Sequence, residues 1–343
     1  MKIAVLDDYQ QVALKMADWS SMPLGTDILA FRQHYGGVSE LKQKLKGFDV
    51  VVAMRERTPF VSALLEGLPE MRLLVTTGMR NASIDLAAAT KLGILVCGTR
   101  GGGPSTAELA WGLILSLLRH IPQEYNSVRT GGWQNTVGVD LNGKTLGLLG
   151  LGNLGSHMAG IGKAFGMKVV SWSQNLTQER AAQFGANLVT KEELFSRSDI
   201  ISIHLQLSDR TRGLVGAREL ALMKPTSYLI NTSRGPIVDE ASLISTLRAH
   251  GIAGAGIDVY EPEPLPQDHP LRSVDNVVTT PHLGYVTKET YEIFYSDAIE
   301  DIVAFSSKNP VRVLNPDVLG KTRSATRTGV GHSMRDISSG ECR

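Results

Sequence analysis

The stretch TLGLLGLGNLG, residues 145–155, decides the fold, because it has the pattern of a short buried strand that turns directly into a helix. Its glycines Gly150, Gly152 and Gly155 have the spacing G-x-G-x-x-G. In such a turn the first glycine permits the tight bend, the second lets the backbone approach a pyrophosphate, and the third lets the helix pack on the strand. A chain with 35 glycines could also use this pattern for a purely structural turn. The strand-turn-helix setting favours dinucleotide binding.

Length and composition limit the possible classes of protein. The 343 residues suffice for two domains with sizeable cores, and 35 Lys+Arg against 34 Asp+Glu leave a formal net charge of +1. This balance indicates neither a nucleic-acid partner nor an anionic membrane. The cysteines, Cys97 and Cys342, cannot form a disulfide framework. The N-terminal apolar run is too short for a signal peptide, and residues 109–118 are too few to span a membrane. We therefore expect a soluble, cytoplasmic protein, and we assign no metal site.

Short apolar runs alternate with amphipathic segments on both sides of a glycine cluster at residues 98–105, which predicts two α/β domains with parallel sheets. Before the cluster, the predicted strands are 3–6, 50–53, 73–75 and 94–96, and the predicted helices are 41–45, 61–65 and 84–89. After residue 145, the predicted strands are 146–149, 169–172, 200–204, 228–231, 254–258 and 277–280, and the predicted helices are 157–165, 178–184, 191–197, 217–223 and 240–249.

The segments between and after these units carry further predictions. Residues 105–108, STAE, have the pattern of a capping box that opens a helix to about residue 118. Residues 122–142 are polar and are expected to be irregular. An amphipathic helix at 287–305 is expected to return the chain to the first domain, which would make that domain discontinuous and leave a cleft between the two. Residues 319–343 are predicted to be a disordered tail rather than a functional arm.

Three polar side chains directly follow predicted strands: Arg234 in NTSRGPIVDE, Glu263 in GIDVYEPEPLP and His282 in TTPHLG. Each has an ordinary structural explanation, as a surface ion pair, a solvated loop carboxylate or a hydrogen-bonded structural histidine. Ligands of open parallel sheets, however, bind beyond the carboxyl ends of the strands. Together the three side chains therefore predict a cation, a carboxylate and an imidazole that converge beside the cofactor.

The order of five motifs closely resembles the D-isomer-specific 2-hydroxyacid dehydrogenase family over residues 1–316. The motifs are the glycine fingerprint, STAELAWGLILSLLRH, NTSRGPIVDEASLISTLR, GAGIDVYEPEPLP and TTPHLGYVTKET. The family includes glycerate and phosphoglycerate dehydrogenases, glyoxylate/hydroxypyruvate reductases and D-lactate dehydrogenases. The resemblance implies a Rossmann NAD(P)-binding domain, residues 100–285, inserted into a flavodoxin-like substrate domain, residues 1–99 plus 286–318. It also implies a homodimer built through the Rossmann domain.

The resemblance also implies roles for the three polar side chains. Arg234 would hold the substrate's carboxylate and C2 oxygen, a task suited to a fork of fixed donors. His282 would protonate the C2 oxygen as hydride arrives from the cofactor, and would accept that proton in oxidation. Glu263 would pair with His282, and its position five residues after Asp258 selects it over Glu261.

Further positions are implied for the cofactor and the substrate. Thr106 would contact a cofactor phosphate, although it could equally be a helix cap. The positions implied for the cofactor are Thr106, Gly150, Gly152, Asn153, Leu154, Gly155, Ser173, Thr232, Asp258 and Gly284. Those implied for the substrate are Arg55, Gly78, Met79, Arg80 and Arg234. The turn at 77–81 would bind the substrate carboxylate through its N–H groups. The large side chains of Met79 and Arg80 could narrow the pocket or change its charge.

The choice between NAD and NADP stays open. NAD-binding chains usually place an acid at the end of the second strand to bond the ribose 2′-hydroxyl. Here Ser173 has that position, and no acid occurs at 168–178. NADP is therefore permitted, but Arg180 is the nearest arginine available to a 2′-phosphate.

The leading hypothesis is an NAD(P)-dependent oxidoreductase that interconverts a small D-2-hydroxy acid and its 2-keto acid. Two alternatives share the fold: a dinucleotide-sensing, corepressor-like binding protein, and a paralogue whose pocket is altered by Met79 and Arg80. Turnover of 2-keto acids separates the first hypothesis from the other two.

Overall fold

Two all-parallel sheets organise the protein, for which a computed structural model describes residues 1–320. The strands of the first sheet are β1 Lys2–Val5, β2 Asp27–Ala30, β3 Val50–Ala53, β4 Leu73–Thr76 and β5 Leu95–Gly98. The strands of the second sheet are β6 Thr145–Leu149, β7 Lys168–Trp172, β8 Asn187–Leu188, β9 Ile200–Ile203, β10 Tyr228–Asn231, β11 Gly254–Ile257 and β12 Val277–Thr279.

Strand order identifies the two architectures. The five-stranded sheet has the order β2-β1-β3-β4-β5, which is the flavodoxin-like order. The seven-stranded sheet has the order β12-β11-β10-β9-β6-β7-β8, which contains the doubly wound order 3-2-1-4-5-6 of Rossmann domains. Both orders change direction at a switch point, where β1 lies beside β3 and β6 lies beside β9. The predicted fold class is confirmed.

Helices cover both faces of each sheet, as parallel sheets require. The α-helices are α1 Val38–Leu45, α2 Ser62–Glu66, α3 Leu86–Lys91, α4 Ser105–Leu118, α5 Ile121–Arg129, α6 Asn153–Ala164, α7 Gln178–Gln183, α8 Lys191–Arg197, α9 Ala217–Leu222, α10 Glu240–Arg248 and α11 Lys288–Ser306. Short 3-10 turns occur at Ala13–Lys15, Trp19–Ser21, Gly235–Ile237, Pro270–Arg272 and Pro316–Val318. No helix within residues 1–320 is long and apolar enough to cross a membrane.

Segments from both ends of the described chain share one core. Phe294 and Ile302 of α11 are buried in the same cluster as Ile3 of β1 and Val75 of β4. Beyond α11, the N–H of Leu314 donates to the carbonyl of Val96 at 2.8 Å. The chain thus returns to the five-stranded sheet, and we keep 1–99 with 286–318 and 100–285 as the proposed domain limits.

Several local predictions were wrong. The strand β2 was missed because it is half-exposed and pairs only with β1. The two-residue β8 is similarly an edge strand, and α5 forms within the segment predicted to be irregular. The capping box at 105–108 is absent, because α4 already begins at Ser105, so Pro104 is the N-cap residue and no side chain caps the helix. Of the tail predicted at 319–343, residues 321–343 lie outside the described part of the chain.

Candidate active site

The glycine loop joins β6 to α6 at the carboxyl end of the seven-stranded sheet. Gly150 has φ +98°, and a Cβ there would lie 2.7 Å from the carbonyl oxygen of His204. A Cβ at Gly155 would collide with the carbonyl oxygen of Gly150, so α6 packs closely on the loop. A Cβ at Gly152, by contrast, would meet nothing within 4 Å. The loop is therefore closed on the protein side and open where a pyrophosphate would lie.

The start of α6 supplies donors to that open space. Asn153 and Leu154 are its first two residues, and N–H groups in the first turn of a helix have no partner within the helix. Anions bind at such N-termini because the N–H groups point outward and the helix dipole is positive there.

Two further groups fit the nicotinamide end of a dinucleotide. Thr232 follows β10 and is buried, yet its hydroxyl has no hydrogen-bond partner within residues 1–320. Asp258 follows β11 and is fully buried. Burial raises the pKa of Asp258, and hydrogen bonds from the Thr280 hydroxyl at 2.6 Å and the Leu283 and Gly284 N–H groups oppose that rise. The unpartnered Thr232 hydroxyl is the clearest sign that a polar ligand belongs here.

Thr106 and Gly284 lie together beside Asp258. The Thr106 hydroxyl donates to the Gly284 carbonyl at 3.0 Å, so this hydroxyl does not cap α4. A Cβ at Gly284 would lie 3.0 Å from the Thr106 side chain. The contact joins the start of α4 to the loop that precedes α11.

Ser173 is half-buried directly after β7. No described contact directs Arg180 toward Ser173. The Arg180 guanidinium donates to Gln183 at 3.0 Å and lies 4.5 Å from the centre of the Phe184 ring. Within the described residues, neither a carboxylate nor a free arginine therefore lies at Ser173, the position expected to contact the ribose 2′-hydroxyl or 2′-phosphate.

His282 and Glu263 are in direct contact. The ring nitrogen Nδ1 of His282 lies 2.6 Å from Oε2 of Glu263, and Glu263 Oε1 accepts the N–H of Tyr260 at 2.9 Å. A carboxylate only accepts, so Nδ1 carries the proton and Nε2 is the nitrogen left for a substrate. His282 has φ +55°, an uncommon conformation that its N–H stabilises by donating to the carbonyl of Asp258 at 2.8 Å.

Arg234 extends from the end of β10 toward the five-stranded sheet. Its Nη2 donates to Glu56 Oε1 at 2.7 Å, and its Nη1 donates to the carbonyl of Ser233 at 2.6 Å. The Arg234 side chain is 30% exposed. Since Glu56 lies in the loop that follows β3 of the five-stranded sheet and Arg234 follows β10, this ion pair spans the cleft between the two sheets.

Arg55 and the turn at 77–81 lie at the carboxyl end of the five-stranded sheet. The N–H of Arg55 donates to the Thr77 hydroxyl at 2.8 Å, and its Nη1 donates to the Thr77 carbonyl at 3.2 Å. The N–H of Gly78 already donates to the Thr99 hydroxyl at 2.7 Å. The N–H groups of Met79 and Arg80 have no partner within residues 1–320, so they, rather than that of Gly78, are available to a substrate carboxylate.

Arg80 also contacts the second sheet's side of the cleft. Its Nη1 donates to Oε1 of Gln206 at 3.2 Å. Met79 is 46% exposed. Neither side chain contacts Arg234 or His282 in the described structure, so the turn contributes chiefly its main chain.

Sequence reasoning missed four residues of the cleft: Tyr9, Glu56, Arg57 and Tyr285. The Arg57 guanidinium lies 4.6 Å from the ring centre of Tyr9 and 5.4 Å from that of Tyr285. The Tyr285 ring in turn lies 5.3 Å from the ring of His282. A signal for two of them was present, because AMRERT places three charges directly after an apolar strand.

Tyr285 connects the two sides of the cleft. Its ring contacts His282 and also lies 5.9 Å from the guanidinium of Arg55. Its hydroxyl is buried with no hydrogen-bond partner within residues 1–320, and burial raises its pKa. Contacts therefore run continuously from Glu263 through His282, Tyr285 and Arg55 toward Arg234.

Known proteins match both this geometry and the sequence. The sequence model of one protein family matches residues 111–284; the family is described as "D-isomer specific 2-hydroxyacid dehydrogenase, NAD binding domain". A glyoxylate reductase from Aeropyrum pernix is 42% identical over 267 residues, which are 75% of this chain and 80% of that protein. The chain belongs to the D-isomer-specific 2-hydroxyacid dehydrogenase family.

Two further family relatives show how far the likeness extends. A D-3-phosphoglycerate dehydrogenase from Synechocystis is 36% identical over 281 residues, which are 79% of this chain but 50% of that protein. The chain thus spans about half the length of that relative. The crystal structure of a phosphoglycerate oxidoreductase from Vibrio cholerae is similar with a TM-score of 0.86 and 38% identity, and the match covers 90% of this chain and 99% of that one.

As a D-2-hydroxyacid dehydrogenase, the protein is an oxidoreductase that uses NAD or NADP. The glycine loop, the first turn of α6 and the unpartnered Thr232 hydroxyl fit such a cofactor. Within residues 1–320, no group of three or more His, Cys, Asp or Glu side chains could hold a metal ion.

Proposed function

We propose that this dehydrogenase interconverts a small D-2-hydroxy acid and its 2-keto acid, with His282 as the proton donor and acceptor. The observation that supports this most is the 2.6 Å contact between His282 and Glu263 at the cleft that Arg234 also enters. An imidazole whose Nδ1 is held by a carboxylate presents Nε2 in a fixed orientation, which general acid–base catalysis requires.

Each residue of the site has a separate role in the reaction. The bound nicotinamide supplies or accepts the hydride at C2. Arg234 binds the substrate carboxylate and C2 oxygen through N–H groups that Glu56 and Ser233 leave unused. In reduction, Nε2 of His282 gives its proton to the C2 oxygen, and in oxidation it takes that proton back. Glu263 stabilises the positive charge on the ring while the proton is present.

Positioning falls to the main chain and the cofactor contacts. The N–H groups of Met79 and Arg80, together with Arg55, hold the substrate from the side of the five-stranded sheet. The residues proposed for the cofactor are Thr106, Gly150, Gly152, Asn153, Leu154, Gly155, Ser173, Thr232, Asp258 and Gly284. At Ser173 there is no acid to repel a 2′-phosphate and no free arginine to bind one, so we expect the dissociation constants for NADH and NADPH to differ by no more than about tenfold.

We further propose a homodimer built through the side of the seven-stranded sheet that carries α5. This helix has no buried residue in a single chain, although Ile121, Tyr125 and Val128 on it are apolar and at least 50% exposed. Trp133, which follows it, is 75% exposed. Contiguous exposed apolar surface of this kind marks interaction sites. Light scattering should give twice the chain mass of 37.1 kDa, and a monomer at all concentrations would contradict the proposal.

A panel of 2-keto acids tests the proposed activity. The full chain is incubated with glyoxylate, hydroxypyruvate or pyruvate, each with NADH and with NADPH, and the loss of reduced nicotinamide is followed by absorbance. We expect turnover of at least one acid. Tight dinucleotide binding without turnover of any acid would contradict the enzyme and favour the dinucleotide-sensing alternative.

A further inference from the structure

Glu56 places a carboxylate between the two guanidinium groups assigned to the substrate. Its Oε1 lies 2.7 Å from Nη2 of Arg234, and its Oε2 lies 3.7 Å from Nε of Arg55. Arg55 and Glu56 follow β3 of the five-stranded sheet, whereas Arg234 follows β10 of the seven-stranded sheet. A substrate carboxylate bound to Arg234 would therefore lie next to Glu56.

The Glu56 carboxylate is charged and not fully hydrogen-bonded. Burial raises the pKa of Glu56, but Arg234 and Arg55 lower it more, so its pKa lies below the usual value. Its Oε2 is buried and has no hydrogen-bond partner within residues 1–320. An ionised carboxylate offers about four lone-pair directions, so Glu56 has unused capacity to accept a hydrogen bond.

The charges around the substrate position match a single anion. Arg55 and Arg234 together with Glu56 carry one net positive charge, which one substrate carboxylate neutralises. A second anionic group on the substrate would meet the Glu56 carboxylate at short range, where like charges repel strongly near a protein interior. Donors of the other cations of the cleft are already used elsewhere, since Arg57 donates to the carbonyl of Asp7 at 2.9 Å and packs on Tyr9 and Tyr285, and Arg80 donates to Gln206.

We propose that Glu56 is a specificity-determining residue of this site, which favours 2-keto acids bearing a hydrogen-bond donor at C3 and rejects those bearing an anion there. The inference rests on the proposed function. A three-carbon acid is shorter than an arginine side chain, so a group at C3 stays close to Glu56 while the carboxylate is on Arg234. A C3 hydroxyl can donate to the carboxylate, a methyl group cannot, and a phosphate is repelled. The substrate class is thus the unphosphorylated 3-hydroxy-2-keto acids.

Three substrates and two variants test this inference. For the wild type, E56Q and E56A, kcat/KM is measured with hydroxypyruvate, pyruvate and 3-phosphohydroxypyruvate, using the dinucleotide that gives the faster turnover. These acids differ only in the C3 substituent. E56Q keeps an accepting oxygen but removes the charge, whereas E56A removes both. E66Q, an exposed glutamate on α2, is the matched control, and thermal unfolding verifies that each variant is folded.

In the wild type we expect hydroxypyruvate to be preferred over both other acids. E56Q should raise kcat/KM for 3-phosphohydroxypyruvate about tenfold or more and change the preference for hydroxypyruvate over pyruvate less than about threefold. E56A should raise kcat/KM for 3-phosphohydroxypyruvate by a similar factor. It should also lower the preference for hydroxypyruvate over pyruvate about tenfold. E66Q should leave all the ratios unchanged.

Two results would overturn the inference while the proposed function stands. One is a wild type that prefers 3-phosphohydroxypyruvate, since Arg57 or Arg80 would then bind the phosphate. The other is a uniform change with all three acids in E56Q and E56A, which would mean that Glu56 only orients Arg234. Absence of turnover with every acid and both dinucleotides would instead overturn the proposed function and the inference with it.

Discussion

At the carboxyl end of the seven-stranded sheet, Asp258 and Glu263 accept hydrogen bonds from main-chain N–H groups, whereas at the carboxyl end of the five-stranded sheet Glu56 is held chiefly by two arginine side chains. Asp258 accepts the N–H groups of Leu283 and Gly284, and His282 donates its N–H back to the carbonyl of Asp258. Across the cleft, Arg57 lies between two tyrosine rings and Glu56 lies between two arginines.

This difference suggests a division of labour. Groups held by the main chain have fixed positions before a ligand binds, and fixed donors and acceptors suit the chemical step. Charges held by other side chains can be rearranged by a single substitution, which suits the recognition of different substrates. Substitutions at the end of the seven-stranded sheet should therefore abolish steps of the reaction. Substitutions at the end of the five-stranded sheet should change which substrate is preferred.

The largest effect is expected for His282→Ala. Loss of a general acid typically costs about 10²–10⁴ in rate, so kcat for keto-acid reduction should fall by that amount. The dissociation constant for the dinucleotide should change by no more than about threefold, because His282 does not hold the cofactor in this account. Stopped-flow turnover and fluorescence titration measure the two quantities. Replacement of the exposed His157 on α6 by Ala is the control, and near-normal turnover in H282A would contradict the assignment.

A smaller effect is expected for Gly155→Ala, which tests how tightly the main chain fixes the glycine loop. The added Cβ would collide with the carbonyl oxygen of Gly150, and overpacking of this kind costs about 1–3 kcal/mol. Dinucleotide affinity should fall about tenfold or more. Gly160 lies on the same helix with nothing within 4 Å of a Cβ, so G160A should bind the dinucleotide normally. Equal affinities in the two variants would show that the loop is not held as described.

The smallest effect concerns stability on the side of the five-stranded sheet. Asp301 on α11 is fully buried, and Nε of Arg312 donates to its Oδ1 at 3.1 Å. Burial raises the pKa of Asp301 to about 7, while Arg312 opposes the rise and Asp297 and Glu300 add to it. A carboxyl whose pKa is higher in the folded state keeps its proton there, so its contribution to stability falls as pH rises from about 4 through 7.

Asp301→Asn removes that ionisation. The free energy of unfolding of D301N minus that of the wild type should therefore increase by about 1–2 kcal/mol between pH 6 and pH 8, measured by urea denaturation. The control is D275N, which removes an exposed carboxylate outside the Asp301–Arg312 contact. A difference for D301N that stays constant or decreases over this range would show that Asp301 is ionised throughout.

The two sides of the cleft also differ in how much of the candidate site the sequence predicts. The strands of the seven-stranded sheet, except the short edge strand β8, follow from contiguous apolar runs, and the pairing of Glu263 with His282 is implied by the resemblance to the family. Glu56 and Arg234 are 178 residues apart, and no local pattern indicates that they meet. Edge strand β2 and helix α5 were missed because neither has a fully apolar face to reveal its period. Contacts between distant segments needed the three-dimensional structure.

The decisive measurement is a crystal structure of the full chain with reduced dinucleotide and oxamate, an unreactive analogue of a 2-keto acid. We expect the carboxylate of oxamate on Arg234, its other oxygen within hydrogen-bond distance of Nε2 of His282, and Glu263 still bonded to Nδ1. Oxamate bound away from both Arg234 and His282, with the dinucleotide in place on the glycine loop, would contradict the assignment of these residues.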